Sequence, residues 1–107
     1  MTILRVCYQH GVRFDEAYYV TKHLPLVASV FGPHGLKNIE MMKVVATPDG
    51  SASRYGVIFS AYFESPTGLR NARQSPRMAD VIADIRNYFD GTPEVLIGDL
   101  VSLPTPA

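Results

Sequence analysis

Along residues 55 to 64, YGVIFSAYFE, side chains alternate so that Val57, Phe59, Ala61 and Phe63 fall on one side of an extended chain and Ile58, Ser60 and Tyr62 on the other. The density of aromatic and β-branched residues predicts a strand there. ILRVCYQ, residues 3 to 9, has the same character, and so do the segment from Leu36 to Val45 and EVLIGDLV, residues 94 to 101. Between the first two strands the period lengthens. Ala17, Val20, Leu24, Ala28 and Phe31 recur at spacings of three and four, which predicts a helix with one apolar stripe against a sheet. GPHG, residues 32 to 35, ends that helix, and TPDGSAS, residues 47 to 53, is a polar turn. Ser65 followed by Pro66 reads as a helix cap with a first-turn proline, and the pair recurs at Ser75 and Pro76. A second helix in two pieces is therefore expected, broken near residue 75, with Met78, Val81, Ile82 and Ile85 as the apolar face of its second piece. DGTP, residues 90 to 93, turns the chain into the last strand, and PTPA is a frayed tail.

The element order β α β β α β predicts an α+β fold, a ferredoxin-like sandwich in which both helices cover one face of a four-stranded antiparallel sheet. The 107 residues suit a single domain, 1–107. Both sides of the third strand are substantially apolar, so the face without helices is expected to be buried as well, most simply in a homodimer.

Composition removes several classes of partner. Ten basic residues balance ten acidic ones, leaving no electrostatic footprint for nucleic acid or an anionic membrane. No apolar run reaches the roughly 18 residues of a spanning helix, and MTILRVCYQHGVR lacks the pattern of a secretory leader; a soluble, cytoplasmic protein is expected. The single cysteine, Cys7, lies in an apolar run where it packs as a small hydrophobe. His10, His23 and His34 are scattered, and there is no CxxC, HxxxH or phosphate loop, so neither a metal nor any other cofactor is expected.

Candidate chemistry centres on FDEAYYVTKHLPL, residues 14 to 26. Pro25 has no N–H for the carbonyl of Thr21 and its ring crowds that carbonyl, so the helix is expected to kink or pause there. Tyr19 and His23, four apart with Asp15 four earlier, form a ridge flanking the apolar stripe. A histidine on such an edge can point into a cleft as an acid or base with one ring nitrogen fixed, or it can simply interact with the carbonyls and dipole of a helix end. Asp84, Asn87 and Tyr88 form a polar cluster that either lines a pocket mouth and orients His23 or merely supports the helix exit. Tyr8 and Tyr62 are candidate wall residues able to offer a hydroxyl to a ligand, with the core as the alternative. Arg5 suits an anion clamp or a rim position with its stem packed.

FDEAYYVTKHLPLV, the strand ending YFES, and ADIRNYFDGTPEVLIGD together resemble the EthD family of dimeric α+β barrel proteins, named for a role in ether degradation. The resemblance covers nearly the whole chain and is most specific in the FDxxYYxxxHxPL and DIxNYxxxxP runs. It departs from the family pattern at Arg86, where proline is common, and at LIGD, where the family strand is more polar. The resemblance implies a subunit whose uncovered sheet face packs on a second copy to enclose a barrel, and His23 falls on the histidine of the family motif. Two kinds of function are open. One is a cofactor-independent isomerase, cyclase or oxygenase acting on a small apolar oxygenated or aromatic molecule, with His23 as base and the hydroxyl of Tyr19 steadying developing charge. The other is a non-catalytic ligand-binding or accessory protein serving a partner oxidase.

Overall fold

The alternation along Tyr55–Phe63 organises the molecule. In the computed structural model, which describes residues 1–106, this strand, β3, is paired on both sides. β1 (Thr2–Gln9) runs antiparallel to it with Leu4 opposite Ala61 and Val6 opposite Phe59, and β2 (Leu36–Lys43) runs antiparallel on its other side with Ile39 opposite Ala61. β4 (Glu94–Asp99) pairs with the free edge of β1, Val95 opposite Val6, which gives the strand order β2-β3-β1-β4. This is the ferredoxin-like α+β sandwich, its helices on one face of a four-stranded antiparallel sheet. Val57, Phe59, Ala61 and Phe63 all point toward the helices and are buried. Each such aromatic or branched side chain withdrawn from water is worth roughly 1.5–3 kcal/mol, so this stripe anchors the core.

The first helix is one rod with an irregular middle. α1 (Glu16–Tyr18) is capped by Asp15, whose Oδ1 accepts from the Tyr18 amide at 3.1 Å. The chain then widens into a π turn, Tyr19–His23, and continues as α2 (Leu24–Phe31). The Leu24 amide reaches back five residues to the Tyr19 carbonyl. Pro25 is thereby accommodated just after the wide turn, and the expected pause takes the form of a π turn without loss of the rod. The added residue rotates everything around the axis. Of the expected stripe, Phe31 is buried, Leu24 and Ala28 are half-buried, and Ala17 and Val20 are outside, Val20 being 45% exposed; the other buried positions are Tyr19, His23, Val27 and Val30. Tyr19 and His23 therefore lie inside the core-facing stripe and not beside it, because a five-residue hydrogen-bonded turn breaks the 3.6-residue period on which the stripe was read.

The second helix comes in two pieces as expected. α3 (Pro66–Arg73) starts at Ser65, whose Oγ accepts from the Gly68 amide at 3.1 Å, and α4 (Met78–Asp84) leads through the tight turn Ile85–Asn87 toward β4. No helix among the described residues is long and apolar enough to cross a membrane.

The other sheet face carries no helix. Ile58, Ser60 and Tyr62 point to it, as alternation requires, together with Met42 and Leu96, which are 54% and 57% exposed. Polar pairs cross it: Arg5 Nε donates to Ser60 Oγ at 3.0 Å, and the Tyr62 hydroxyl donates to Glu40 Oε2 at 2.8 Å. The face is thus more mixed than the third strand alone suggests. Cys7 is buried, in keeping with a packing role.

The joint between α3 and the turn before β2 is the tightest approach at any glycine. A Cβ on Gly68 would sit 2.3 Å from the His34 carbonyl oxygen. Gly68→Ala is expected to destabilise the fold by about 1–3 kcal/mol through backbone displacement, although alanine favours helix, and urea unfolding measures this directly.

Candidate active site

The two runs that define the helical ends meet in space. Phe14 bridges to Phe89, and the Asp15 amide donates to the Tyr88 carbonyl at 2.8 Å, so the start of the first helix is stitched to the exit of the second. Tyr8, from the middle of the sheet, enters this joint. Its ring meets Phe14, Tyr19 and Phe89 edge-on, with centroids 5.1, 5.6 and 5.0 Å away. Such edge-to-face packing is worth about 0.5–1.5 kcal/mol per pair beyond area burial and fixes the direction of the ring.

A hydrogen-bonded chain runs through the joint. Asp84 receives three donors: the Tyr18 hydroxyl at 2.6 Å and Asn87 Nδ2 at 2.9 Å on Oδ1, and His23 Nδ1 at 2.9 Å on Oδ2. An ionised carboxylate only accepts, so His23 must carry its proton on Nδ1 and present a lone pair at Nε2. The Tyr88 hydroxyl, 3.2 Å from Nε2, is then a donor, and its oxygen accepts from the Tyr8 hydroxyl at 2.7 Å. Tyr8, Tyr88, His23 and Asp84 thus form one directed relay.

Electrostatics agree with this assignment. Burial holds the His23 imidazole below its ordinary value of 6.5, although Asp84 pulls the other way. Partial burial opposes ionisation of Asp84, but the bonds from Tyr18, Asn87 and His23 outweigh it and keep the carboxyl below the usual range. Burial pushes Tyr8 up and Tyr19 and Tyr88 well up, so all three are neutral at physiological pH.

The relay opens on a cavity of about 470 Å³ between sheet and helices. Its inner wall includes Tyr8, Tyr19 and His23; Phe31, Phe59 and Val81 are among its apolar sides. Of the residues singled out from sequence, those three touch the cavity, while Asp84, Asn87 and Tyr88 stand behind His23 and orient it. Tyr62 is not brought into this site: alternation along β3 turns it to the open sheet face, where it bonds Glu40. Arg5 is on that face too. Sequence reasoning passed over Tyr18, though it lies in the same FDxxYY run and holds Asp84, and over Arg70, Arg73 and Gln74 at the cavity rim. The spacing of those three on an acid-free helix was their available signal. Among the described residues no three His, Cys, Asp or Glu side chains converge as a metal site would require.

Comparison with protein families matches residues 13–92 to the EthD domain, a span that holds both halves of the relay except Tyr8. The chain belongs to the EthD family. This EthD chain is also similar in structure to an EthD-like protein from Ralstonia eutropha JMP134, with a TM-score of 0.81 and 27% identity over 97% of this chain and 95% of that one. An ethyl tert-butyl ether degradation (EthD) family protein from Bacillus halodurans C-125 gives a TM-score of 0.72 at 18% identity, covering 94% and 97% of the two chains. SnoaB from Streptomyces nogalater, a cofactor-independent oxygenase seen in a mutant form, gives 0.67 at 16% identity, covering 97% and 96%. The last two likenesses show the shared fold. No curated protein matches this EthD chain.

The buried relay makes stability depend on pH. The folded state holds His23 below the 6.5 it has when unfolded, so between the two values the unfolded chain binds more protons. The contribution is complete above about pH 6.5 and is lost as pH falls through the lowered folded value; Asp84, also lowered, adds a second loss below about pH 3.8. His23→Gln is expected to cost about 1–3 kcal/mol at pH 8 by orphaning buried partners, and the gap to the parent protein should narrow between pH 7 and 5. Urea midpoints across that range test this; a constant gap would mean that His23 takes up its proton equally in the folded and unfolded chains and is not shifted by folding.

Proposed function

We propose that this EthD-family chain binds a small, mostly apolar oxygenated or aromatic molecule in the cavity between sheet and helices and moves a proton on it. The observation that supports this reading is the directed chain from Tyr8 through Tyr88 and His23 to Asp84, which ends on an ionised acceptor and begins at an apolar cavity wall. A proton leaving an acidic C–H or O–H of the ligand arrives either on Nε2 of His23, once the Tyr88 hydroxyl has turned away from its lone pair, or on the Tyr8 oxygen. In the second case the Tyr8 proton passes to Tyr88 and the Tyr88 proton to Nε2. Either way His23 ends as imidazolium beside Asp84, whose fixed negative charge offsets the new positive one. Tyr19, neutral and at the cavity wall, is positioned to donate to the oxygen on which charge develops. Isomerisation, cyclisation and oxygenation without a cofactor all begin with such a proton abstraction, and SnoaB, of the same fold, is a cofactor-independent oxygenase.

A second reading, a ligand-binding or accessory protein for a partner oxidase, has its own support. Nε2 is already engaged by Tyr88, and no buried side-chain polar atom among the described residues lacks a partner, so the network is complete without a substrate. The size of a mutational effect separates the two. For a catalyst, His23→Gln and Tyr88→Phe should each cut turnover by about 10² to 10⁴, with the double variant little worse because the residues act as one unit. For a binder, each should cost only about 0.5–1.5 kcal/mol of affinity. A panel of aromatic and ether compounds, followed by tyrosine fluorescence for binding and mass spectrometry for product, gives both readouts.

We further propose that the chain works as a symmetric homodimer through the helix-free sheet face, where Met42, Ile58 and Leu96 surround the Arg5–Ser60 pair. The interface should exceed about 1,000 Å², as stable association requires. Sedimentation at micromolar concentration is expected to show twice the mass of one chain; a well-folded monomer would contradict the proposal.

A further inference from the structure

The cavity has two chemically different ends. Tyr8, Tyr19 and His23 are buried and close its inner end, whereas Arg70, Arg73 and Gln74 are exposed and border its opening. Their helix explains the arrangement. Leu69 and Ala72 of α3 face the core, so Arg70, Arg73 and Gln74, at spacings of three and four, share the edge of the helix that overlooks the cavity. Neither guanidinium has an ion pair or a side-chain hydrogen bond among the described residues, in contrast to Arg13 with Asp90 and Arg54 with Glu94. No acidic side chain lines the cavity, and residues 66 to 77 contain three arginines and no Asp or Glu in a chain of zero net charge. Two unneutralised cations therefore stand at the mouth of an otherwise apolar chamber, where low-dielectric walls strengthen their field on whatever enters.

We infer that the ligand is an amphipathic acid, an apolar or aromatic body bearing a carboxylate, with the carboxylate held by Arg70 and Arg73 at the mouth and the far end of the body reaching Tyr8 and Tyr19. This rests on the reading that the cavity binds a small molecule. A planar guanidinium offers paired N–H donors that match a carboxylate, and two of them side by side on one helix edge can share it. The volume of about 470 Å³ falls within the roughly 300–1,000 Å³ of cavities that enclose such molecules. The placement also sets orientation. With its charged head fixed outside, a ligand can present only its uncharged end to the relay, so the bond that loses a proton lies remote from the carboxylate.

The test uses a matched pair of probes, 2-naphthoate and its neutral isostere 2-naphthamide, titrated into the full chain by calorimetry and tyrosine fluorescence. 2-Naphthoate is expected to bind roughly 10-fold to 100-fold more tightly than the amide, the range for a charge-assisted contact, with the advantage shrinking as salt rises. Arg70→Gln/Arg73→Gln should remove that advantage and leave amide affinity unchanged, while Arg70→Lys/Arg73→Lys retains part of it and Arg86→Gln, away from the cavity, retains all of it. Equal binding of both probes to the parent protein, or an advantage that survives in the double glutamine variant, would overturn the inference and leave cavity binding intact. If neither probe binds the parent protein, the cavity reading itself falls and takes the inference with it.

Discussion

The wide turn Tyr19–His23 is the constraint on which the site depends. A regular α-helix through these residues would follow the 3.6-residue stripe of Ala17, Val20, Leu24, Ala28 and Phe31 and would leave His23 at its edge. The Leu24 amide bonds to Tyr19 across five residues, and the rotation this introduces carries Tyr19, His23 and Val27 to the inner surface. π turns have poorer backbone geometry than α turns and persist where something else holds them. Here the holding groups are visible: Asp84 on one ring nitrogen of His23, Tyr88 on the other, and Pro25 just downstream, whose missing N–H makes regular continuation unfavourable. Backbone irregularity and site chemistry therefore stabilise each other.

That mutual dependence explains what could be read from the sequence and what could not. Strands follow a period of two, and the alternation in YGVIFSAYFE correctly separates Phe59 from Tyr62; caps at Ser65 and the break near Ser75 are local signals and stand where expected. Element order then leads to the sheet without any knowledge of contacts. The orientation of the first helix was not legible, because periodicity assumes a uniform turn and His23 sits within the one turn that is not uniform. The partnership of Asp84 with His23, 61 residues apart, has no local signature either. The residue types in ADIRNYF suggested only that they could orient the histidine, and nothing in the run distinguishes that role from an ordinary helix exit. Tyr18 shows the same limit: its neighbour Tyr19 and itself look equivalent in sequence, yet one ring enters the core while the other sends its hydroxyl to the Asp84 carboxylate.

Withdrawing an aspartate, a histidine and two tyrosines from water together is costly unless every donor finds an acceptor, and a half-satisfied network would be worse than an apolar core. The arrangement meets that condition in one sense of hydrogen-bond direction only. Asp84 accepts three times, His23 donates once and accepts once, and Tyr88 passes the direction on to Tyr8. Reversing any link would set two donors or two lone pairs against each other. The sheet contributes Tyr8 from β1, a central strand, where it pairs with Val57 of β3, so the end of the relay nearest the cavity is carried by the sheet and not by a helix.

Packing at that end bears on how a ligand would be selected on the proposed reading. The inner wall is set by packed rings and a closed hydrogen-bond chain, and it can accommodate little change in shape without orphaning a buried group. The rim is built from the exposed edge of α3, whose long side chains reorient at low cost. On the proposed reading, discrimination by shape belongs to the inner end, where Tyr8, Tyr19 and Phe59 are packed, and discrimination by charge to the mouth. None of the bonds from Tyr8 to Asp84 passes through α3, so on that reading substitutions there would alter which head group is admitted without disturbing the hydrogen-bond chain. A fold that divided the two tasks in this way would change its ligand by changing a few exposed residues, while the hydrogen-bonded chain beneath, tied to the π turn and to both helix ends, would have to be kept whole.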